Sequence, residues 1–182
     1  DSLTQIDILS ILITTVEDET FSECTSLKEI SIPSSIKKIG NKAFSGCSLL
    51  EQITTPSSLK IIGDYAFRKC TKLVKFPIPS SVTSIGINAF EECSSLTDIE
   101  IPSSVKKIND FVFKKCSSLI YFIIPNSVVD IGIGAFYECS SLISTNLILT
   151  SVIKEIDIPS SITKINDFAF KKCLLLESVV IP

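Results

Sequence analysis

Apolar and polar residues alternate along this chain in one unit that recurs at a fixed spacing. Six cysteines stand 23 residues apart and a seventh follows after 34: Cys24, Cys47, Cys70, Cys93, Cys116, Cys139 and Cys173. Counted from most of these cysteines, apolar residues, chiefly aliphatic ones, stand at positions +3, +6 and +8, with Pro at +9. Aliphatic residues return at +12 and +15, followed by Gly or Asn at +16 and Phe at +20. We call each unit a coil, because such a period indicates a solenoid of stacked units.

Positions +5 to +8 of each coil alternate between polar and apolar residues, which predicts a β-strand with one buried face. Pro at +9 has no N–H to donate and therefore ends the strand. Neighbouring strands should form a parallel sheet with a spacing of about 4.8 Å. The residues predicted to point inward are Ile30, Ile32, Ile53, Phe76, Ile78, Ile99, Ile101, Phe122 and Ile124.

The rest of each coil, which we call the return arc, carries the chain back to the next strand. Its Ala-Phe pairs are predicted to open short helical turns. Gly and Asn tolerate a left-handed backbone, so the residues at +16, among them Gly86, are predicted to have a positive φ. The phenylalanines should stack as an aromatic spine formed by Phe21, Phe44, Phe67, Phe90, Phe113, Phe136 and Phe170.

The repeat LxxIxIPxSVxxIGxxAFxxC resembles the BspA-type leucine-rich repeat, also called the Treponema pallidum-type repeat. The clearest matches run from Phe21 to Cys139 and from Ile153 to Pro182. The resemblance implies an α/β repeat fold, a leucine-rich-repeat solenoid with a parallel sheet on its concave face and short strands or helical turns on its convex side. It also implies a cell-surface or secreted protein that adheres to host matrix or cell-surface proteins.

Two stretches depart from the repeat within what we expect to be a single domain, 1–182, of seven to eight coils. The first unit carries Leu3, Ile6 and Ile8 but no Pro. After Cys139, two strand-like starts share one return arc, so we expect 143–152 to protrude as a loop or hairpin. The chain has no Met and stops within a repeat, so we expect both termini to be cut from a longer protein.

Composition narrows the range of functions. The net charge of −3 among 182 residues favours neither nucleic acid nor an anionic membrane, and no apolar run is long enough to span a bilayer. Histidine, the commonest general base and metal ligand, is absent. We therefore expect a non-catalytic protein without a cofactor or metal. Carboxylates such as Glu91 and Glu92 are predicted to line a solvated face.

The cysteines are best interpreted as small buried residues of a ladder, because each occupies the same position of the repeat. Disulfides are the weaker alternative, since parallel side chains seldom reach the required torsion and the count of 7 is odd. Zinc is weaker still, because single cysteines 23 residues apart form no CxxC pair.

We place the binding site on the outward strand positions, which line the predicted concave face. The candidate residues are Lys75, Pro77, Asp98, Glu100, Ile120, Tyr121 and Ile123. The last three form an apolar cluster with charged neighbours, which is the usual composition of an interface hot spot. Alternatively, the segment after Ile143 folds over this cluster and buries it.

The leading functional hypothesis is an interaction or adhesion module that binds a protein on its concave face. A structural spacer that displays other domains is the alternative from a different class. Pairs of basic residues in the turns suggest acidic polysaccharide or phosphate as a second ligand class, although they more simply keep the surface soluble. These pairs are Lys37-Lys38, Arg68-Lys69, Lys106-Lys107, Lys114-Lys115 and Lys171-Lys172.

Overall fold

The computed structural model describes residues 5–7, 12–143 and 155–181, and these form a parallel-strand solenoid. Most coils contribute one strand of three residues and, in the return arc, one of two residues. In chain order the strands are β1 (Gln5–Asp7), β2 (Thr15–Val16), β3 (Glu29–Ser31), β4 (Lys38–Ile39), β5 (Gln52–Thr54), β6 (Ile61–Ile62), β7 (Ser84–Ile85), β8 (Asp98–Glu100), β9 (Lys107–Ile108), β10 (Tyr121–Ile123), β11 (Asp130–Ile131), β12 (Glu155–Asp157), β13 (Lys164–Ile165) and β14 (Ser178–Val180).

Equivalent strands of successive coils pair in parallel and in register, as the repeat predicts. The three-residue strands form the ladders β1-β3-β5, β8-β10 and β12-β14, and the arc strands form β2-β4-β6-β7 and β9-β11-β13. Ile30 pairs with Ile53 on one side and with Ile6 on the other, so the first unit joins the ladder although it lacks the Pro.

The core lies between the two sets of strands, and the predicted inward residues are buried there except for Ile78, which is half-buried. The aromatic spine is confirmed, because successive rings stack with centroids 5.2–5.7 Å apart from Phe21 to Phe170. Phe76 and Phe122 come from the strands and meet the spine at steep angles. Each coil therefore buries its apolar residues only against its neighbours.

The 34-residue interval leaves no gap in the stack of return arcs. β11 pairs directly with β13, and Phe136 stacks on Phe170 at 5.3 Å. Two cysteines 34 residues apart thus belong to adjacent coils. The predicted loop or hairpin at 143–152 lies outside the described residues, apart from Ile143 itself.

The prediction of helical turns in the return arc is wrong, since the described residues contain no helix. An α-helix requires consecutive N–H groups to bond within the same segment. Here the N–H groups alternate: those of Lys42 and Phe44 donate to carbonyls of the next coil at 2.8 Å. Those of Ser45 and Cys47 donate three residues back, at 3.0 and 3.2 Å. Bonding between coils therefore replaces the helix.

The predicted positive φ at position +16 is also wrong. Left-handed residues occur instead at +18 and +22, as with Tyr65 (56°) and Glu92 (62°). Gly86 is needed for another reason: a Cβ there would lie 2.4 Å from the backbone N of Asp64 in the preceding coil. Close approach between coils excludes a side chain there. Asn109 occupies the same position between β7 and β9, two arc strands that belong to separate ladders. Its side-chain amide donates to Ile85 O at 2.7 Å and so links the two coils.

Candidate functional site

The predicted site residues lie on adjacent strands at outward positions. We call this surface the strand face, defined by the outward residues at +4, +5 and +7 of the coils. Tyr121 pairs in register with Asp98, and Lys75 forms an isolated bridge with Asp98. Ile123 pairs with Glu100, and Pro77 stands at the equivalent position of the preceding coil. The structure thus brings the seven candidates together over three successive coils.

An apolar cluster occupies one end of this set. Tyr121 and Ile123 are 42% and 50% exposed, and Ile120 is half-buried. Between them, Phe122 points inward and packs edge-on against Phe136, with ring centroids 4.5 Å apart. The strand is therefore anchored by its middle residue while its two outer residues remain available for contact.

Sequence reasoning did not include Ile143 in this cluster. Its N–H donates to Ile120 O at 3.2 Å, so it continues the +4 column, and it is half-buried. The +4 position itself could have revealed it, because an aliphatic residue stands there in both coils. The alternative in which the following segment covers Tyr121 concerns residues 144–154, which the structure does not describe.

The polar candidates form weak surface interactions. The Lys75 Nζ lies 3.6 Å from Asp98 Oδ2, and both side chains are exposed. Thr97 donates its hydroxyl to the same carboxylate oxygen at 2.9 Å. Exposed pairs of this kind contribute at most about 1 kcal/mol. In this arrangement the Lys75 ammonium points toward the Cys93 coil.

The sheet is interrupted between β5 and the next coil, where a groove of about 510 Å³ opens. Pro77 stands where a residue should pair with Thr54, and it has no N–H to donate. At position +4, the N–H groups of Glu51, Thr97, Ile120 and Ile143 each donate to the preceding coil. The equivalent N–H of Val74 has no acceptor among the described residues. Thr55 Oγ1 donates to Pro77 O at 2.6 Å and keeps the two coils joined.

The groove was missed at the level of sequence, although a signal was present. Most coils have one Pro, at +9, whereas this coil has Pro77 within the strand as well as Pro79. A Pro in the strand interior predicts a broken ladder. The residues that line the groove are Glu29, Ile30, Ser31, Glu51, Gln52, Ile53, Thr54, Val74, Lys75 and Pro77.

Many cations of the turns pair with carboxylates of a neighbouring coil. This geometry reduces the free positive charge that an acidic polysaccharide would require, while it links adjacent coils. The pairs are Lys42–Glu19 (2.9 Å), Arg68–Glu91 (3.0 Å), Lys107–Asp130 (3.1 Å), Lys114–Glu91 (2.8 Å), Lys115–Glu92 (3.4 Å) and Lys172–Glu138 (2.5 Å). The hydrogen bond from Lys172 lowers the pKa of the Glu138 carboxyl, and the same bond raises the pKa of Lys172.

The expectation that Glu91 lines a solvated face is wrong, because its side chain is only 6% exposed. Its carboxylate accepts hydrogen bonds from Arg68 Nε and from Asn88 Nδ2, both at 3.0 Å, and contacts Lys114 Nζ at 2.8 Å. The cations come from the two neighbouring coils. A buried carboxylate satisfied in this way joins three coils and has no free oxygen for acid-base chemistry.

The cysteines form the predicted buried ladder. All seven are free thiols, six are buried, and Cys24 in the first complete coil is half-buried. From Cys47 onward each thiol donates to the carbonyl of a spine phenylalanine 26 residues earlier in the chain, or 37 for Cys173, at 3.0–3.2 Å. Burial raises the pKa of every one of these six thiols. A buried thiol with a raised pKa is a poor nucleophile and a poor metal ligand.

Over the ranges that the structure describes, no group of three His, Cys, Asp or Glu side chains is arranged to hold a metal ion. Within the same part of the chain, no helix is long and apolar enough to cross a membrane.

Comparison with known families gives a consistent picture. The model of the BspA type leucine rich repeat region matches in 6 copies, over residues 1–116, 61–152 and 143–182. A comparison with curated protein sequences finds no match.

Several solved structures are similar. A leucine-rich repeat protein from Bacteroides ovatus has a TM-score of 0.82 and 32% identity over 98% of this chain, which spans 46% of that protein. A leucine-rich repeat protein from T. pallidum has a TM-score of 0.59 and 29% identity over 78% of this chain and 79% of its own. A leucine rich cell surface protein from Faecalibacterium prausnitzii has a TM-score of 0.59 and 28% identity over 97% of this chain and 59% of its own.

Proposed function

The chain belongs to the BspA-type leucine-rich repeat family, and we propose that it is a non-catalytic module that binds a protein partner through its strand face. Repeats of this family are typical of interaction or surface modules, and solenoids of this kind are typically scaffolds rather than enzymes. The strand face is the side that the repeat predicts to be concave, which suits it to hold a convex partner.

The exposure of Tyr121 and Ile123 is the observation that carries this proposal. An exposed apolar pair brings no folding benefit, and contiguous apolar surface commonly marks an interaction site. The pair is presented on a strand held by parallel pairing and by the buried ring of Phe122. Little backbone ordering would be required on binding, which favours affinity. Asp98 and Glu100 beside the cluster would provide the polar rim of the interface.

We further propose an adhesive role at the cell surface or in secreted form, with a host matrix or cell-surface protein as the partner. The similar protein from Faecalibacterium prausnitzii is described as a cell surface protein. Many cations of the turns pair with carboxylates of a neighbouring coil, which favours protein over acidic polysaccharide as the ligand.

The test measures binding of the purified chain to a panel of immobilised extracellular-matrix proteins. Tyr121→Ala should weaken binding to the partner found there by about thirtyfold, or about 2 kcal/mol, as hot-spot aromatics do. Tyr65→Ala is the matched control, because Tyr65 is a half-buried tyrosine in a return arc. Unchanged affinity of Tyr121→Ala would contradict the proposed site. Absence of binding to every protein of the panel would favour the structural spacer instead.

A further inference from the structure

The break in the sheet at Pro77 gives the strand face a second feature, distinct from the apolar cluster. The groove at this break is of a size typical of ligand sites, at about 510 Å³. Its apolar wall is formed by the exposed side chains of Val74 and Pro77, whereas Ile30 and Ile53, also in the lining, have side chains that are buried in the core. Val74, whose N–H has no acceptor among the described residues, lies in the wall. An apolar wall beside an available backbone donor resembles a site for an extended peptide segment.

The charges of the groove are unbalanced. Glu29 and Glu51 line it, and among the described residues neither carboxylate has a hydrogen-bond or ion-pair partner. Lys75 is the one cation in the lining, and its ammonium is directed to Asp98 in the following coil. The free charge that faces a ligand is therefore negative, and the complementary ligand carries a cation.

We propose that this groove binds an arginine or lysine side chain from an extended segment of the protein partner. The aliphatic stem of such a side chain packs against Val74 and Pro77, while its cationic head pairs with Glu29 and Glu51. The Val74 N–H donates to a backbone carbonyl of the segment. This inference rests on the proposed function and adds the chemistry of the partner, a basic strand-like segment that runs across the first three complete coils.

A fluorescently labelled peptide of alternating arginine and serine, nine residues long, is the probe, and fluorescence anisotropy at low ionic strength measures its binding. A peptide of alternating glutamate and serine is the negative probe. Replacing Glu29→Gln and Glu51→Gln together should weaken binding of the arginine peptide at least tenfold. Glu100→Gln, which removes one carboxylate from the strand face outside the groove, should change it less than twofold, and each single variant, Glu29→Gln or Glu51→Gln, should weaken it more than Glu100→Gln does. Equal effects of the double variant and Glu100→Gln, or no binding of the arginine peptide, would overturn the proposal.

Two further variants test the geometry rather than the charge alone. Pro77→Thr restores an N–H and should let the strand pair with β5, which narrows the groove and weakens peptide binding at least threefold. Lys75→Gln removes the opposing charge and should strengthen binding about twofold. Unchanged binding in Pro77→Thr would show that the broken ladder does not form the site.

Tyr121→Ala separates this inference from the proposed function. It should leave binding of the arginine peptide unchanged while it weakens binding to the matrix-protein partner. If Tyr121→Ala loses partner binding and the unmodified chain does not bind the peptide, the groove proposal is overturned and the apolar cluster stands. The opposite result is that peptide binding depends on Glu29 and Glu51 while Tyr121→Ala leaves partner binding unchanged. That result would support the groove as a binding site and overturn the apolar cluster.

Discussion

The aromatic spine and the strand face are built by the same coils but follow opposite rules. Every complete coil places a phenylalanine in the spine, and the interior rings are fully buried at nearly constant spacing. At position +5 of the strand face, in contrast, Gln52, Lys75, Asp98 and Tyr121 follow one another. Packing between coils dictates the first position, whereas solvent imposes no such requirement on the second. A repeated position therefore reports the fold, and a varied position is free to serve a partner.

The strand face also differs between its two ends. The groove beside β5 is polar and acidic, with a broken ladder at Pro77, whereas β10 continues its ladder and carries Tyr121 and Ile123 outward. A partner that spans both regions would place a basic segment at the groove and an apolar segment at Tyr121 and Ile123. The charged groove would then accelerate association, and the apolar cluster would supply most of the binding energy.

The largest expected effect comes from removing a ring of the spine. Phe90→Ala should lower the free energy of unfolding by about 3–5 kcal/mol, since the ring is fully buried between Phe67 and Phe113 and leaves a cavity. Urea unfolding measures this loss. Phe168→Ala is the matched control, because Phe168 is 55% exposed and should cost less than about 1 kcal/mol. Similar losses of stability in Phe90→Ala and Phe168→Ala would contradict the distinction between spine and surface rings.

The next effect tests close approach against backbone conformation. Gly86→Ala should lower stability by at least about 2 kcal/mol, because the new Cβ collides with the backbone of Asp64 and Gly63. Gly134 has a φ of +55°, but a Cβ there meets mainly the half-buried ring of Phe111, which can shift. Gly134→Ala should therefore cost only about 1 kcal/mol. A larger loss in Gly134→Ala would mean that left-handed geometry is the stronger constraint.

Removal of one thiol should have an intermediate effect. Cys93→Ala deletes a fully buried sulfur and its hydrogen bond to Phe67 O at 3.1 Å, which should cost about 1–2 kcal/mol. Cys24→Ala, in a half-buried position, should cost less. Native protein should also react slowly with maleimide and quickly once unfolded. Rapid labelling of most thiols in the native state would refute the buried ladder.

The thiols also predict a dependence of stability on pH. Burial raises the pKa of Cys47 and of Cys173 to about 12, whereas an unfolded thiol has a pKa of about 8.5. Between these pH values the unfolded chain binds fewer protons than the folded chain. The contribution of each thiol to the free energy of unfolding is therefore fully present below about pH 8.5 and falls as the pH rises. The loss should reach about 1.4 kcal/mol per thiol by pH 9.5. A Cys47→Ala, Cys173→Ala variant should show a smaller decline in urea midpoint, and an identical decline would exclude these thiols as its cause.

The smallest expected effect on stability belongs to the strand face itself. Tyr121→Ala should change the free energy of unfolding by less than about 0.5 kcal/mol, because the side chain is 42% exposed. Phe122→Ala, one residue along the same strand, should cost several kcal/mol because that ring is buried against the spine. A loss above about 1 kcal/mol in Tyr121→Ala would favour the alternative in which the segment after Ile143 covers the cluster.

Much of the fold followed from the repeat, and the errors share one origin. The strands, the spine and the thiol ladder could be predicted because each depends on a residue type that recurs at a fixed position. The helical turns were wrong because the arc N–H groups of residues such as Lys42 bond to the next coil, which local propensity does not report. Gly86 was assigned the wrong constraint, and Glu91 the wrong environment, because neighbours 22 or 23 residues away determine both.

The sequence by itself determined the period, the direction in which Phe122 and Tyr121 point, and the placement of the candidate residues on one face, since a strand alternates its side chains. Only the tertiary structure decided which polar groups find partners. Lys75 turns to Asp98, Glu91 is enclosed by cations of two coils, and the carboxylate of Glu51, beside the gap in the sheet, has no partner among the described residues. These outcomes depend on distances between atoms of different coils, and such distances exist only once the coils are stacked.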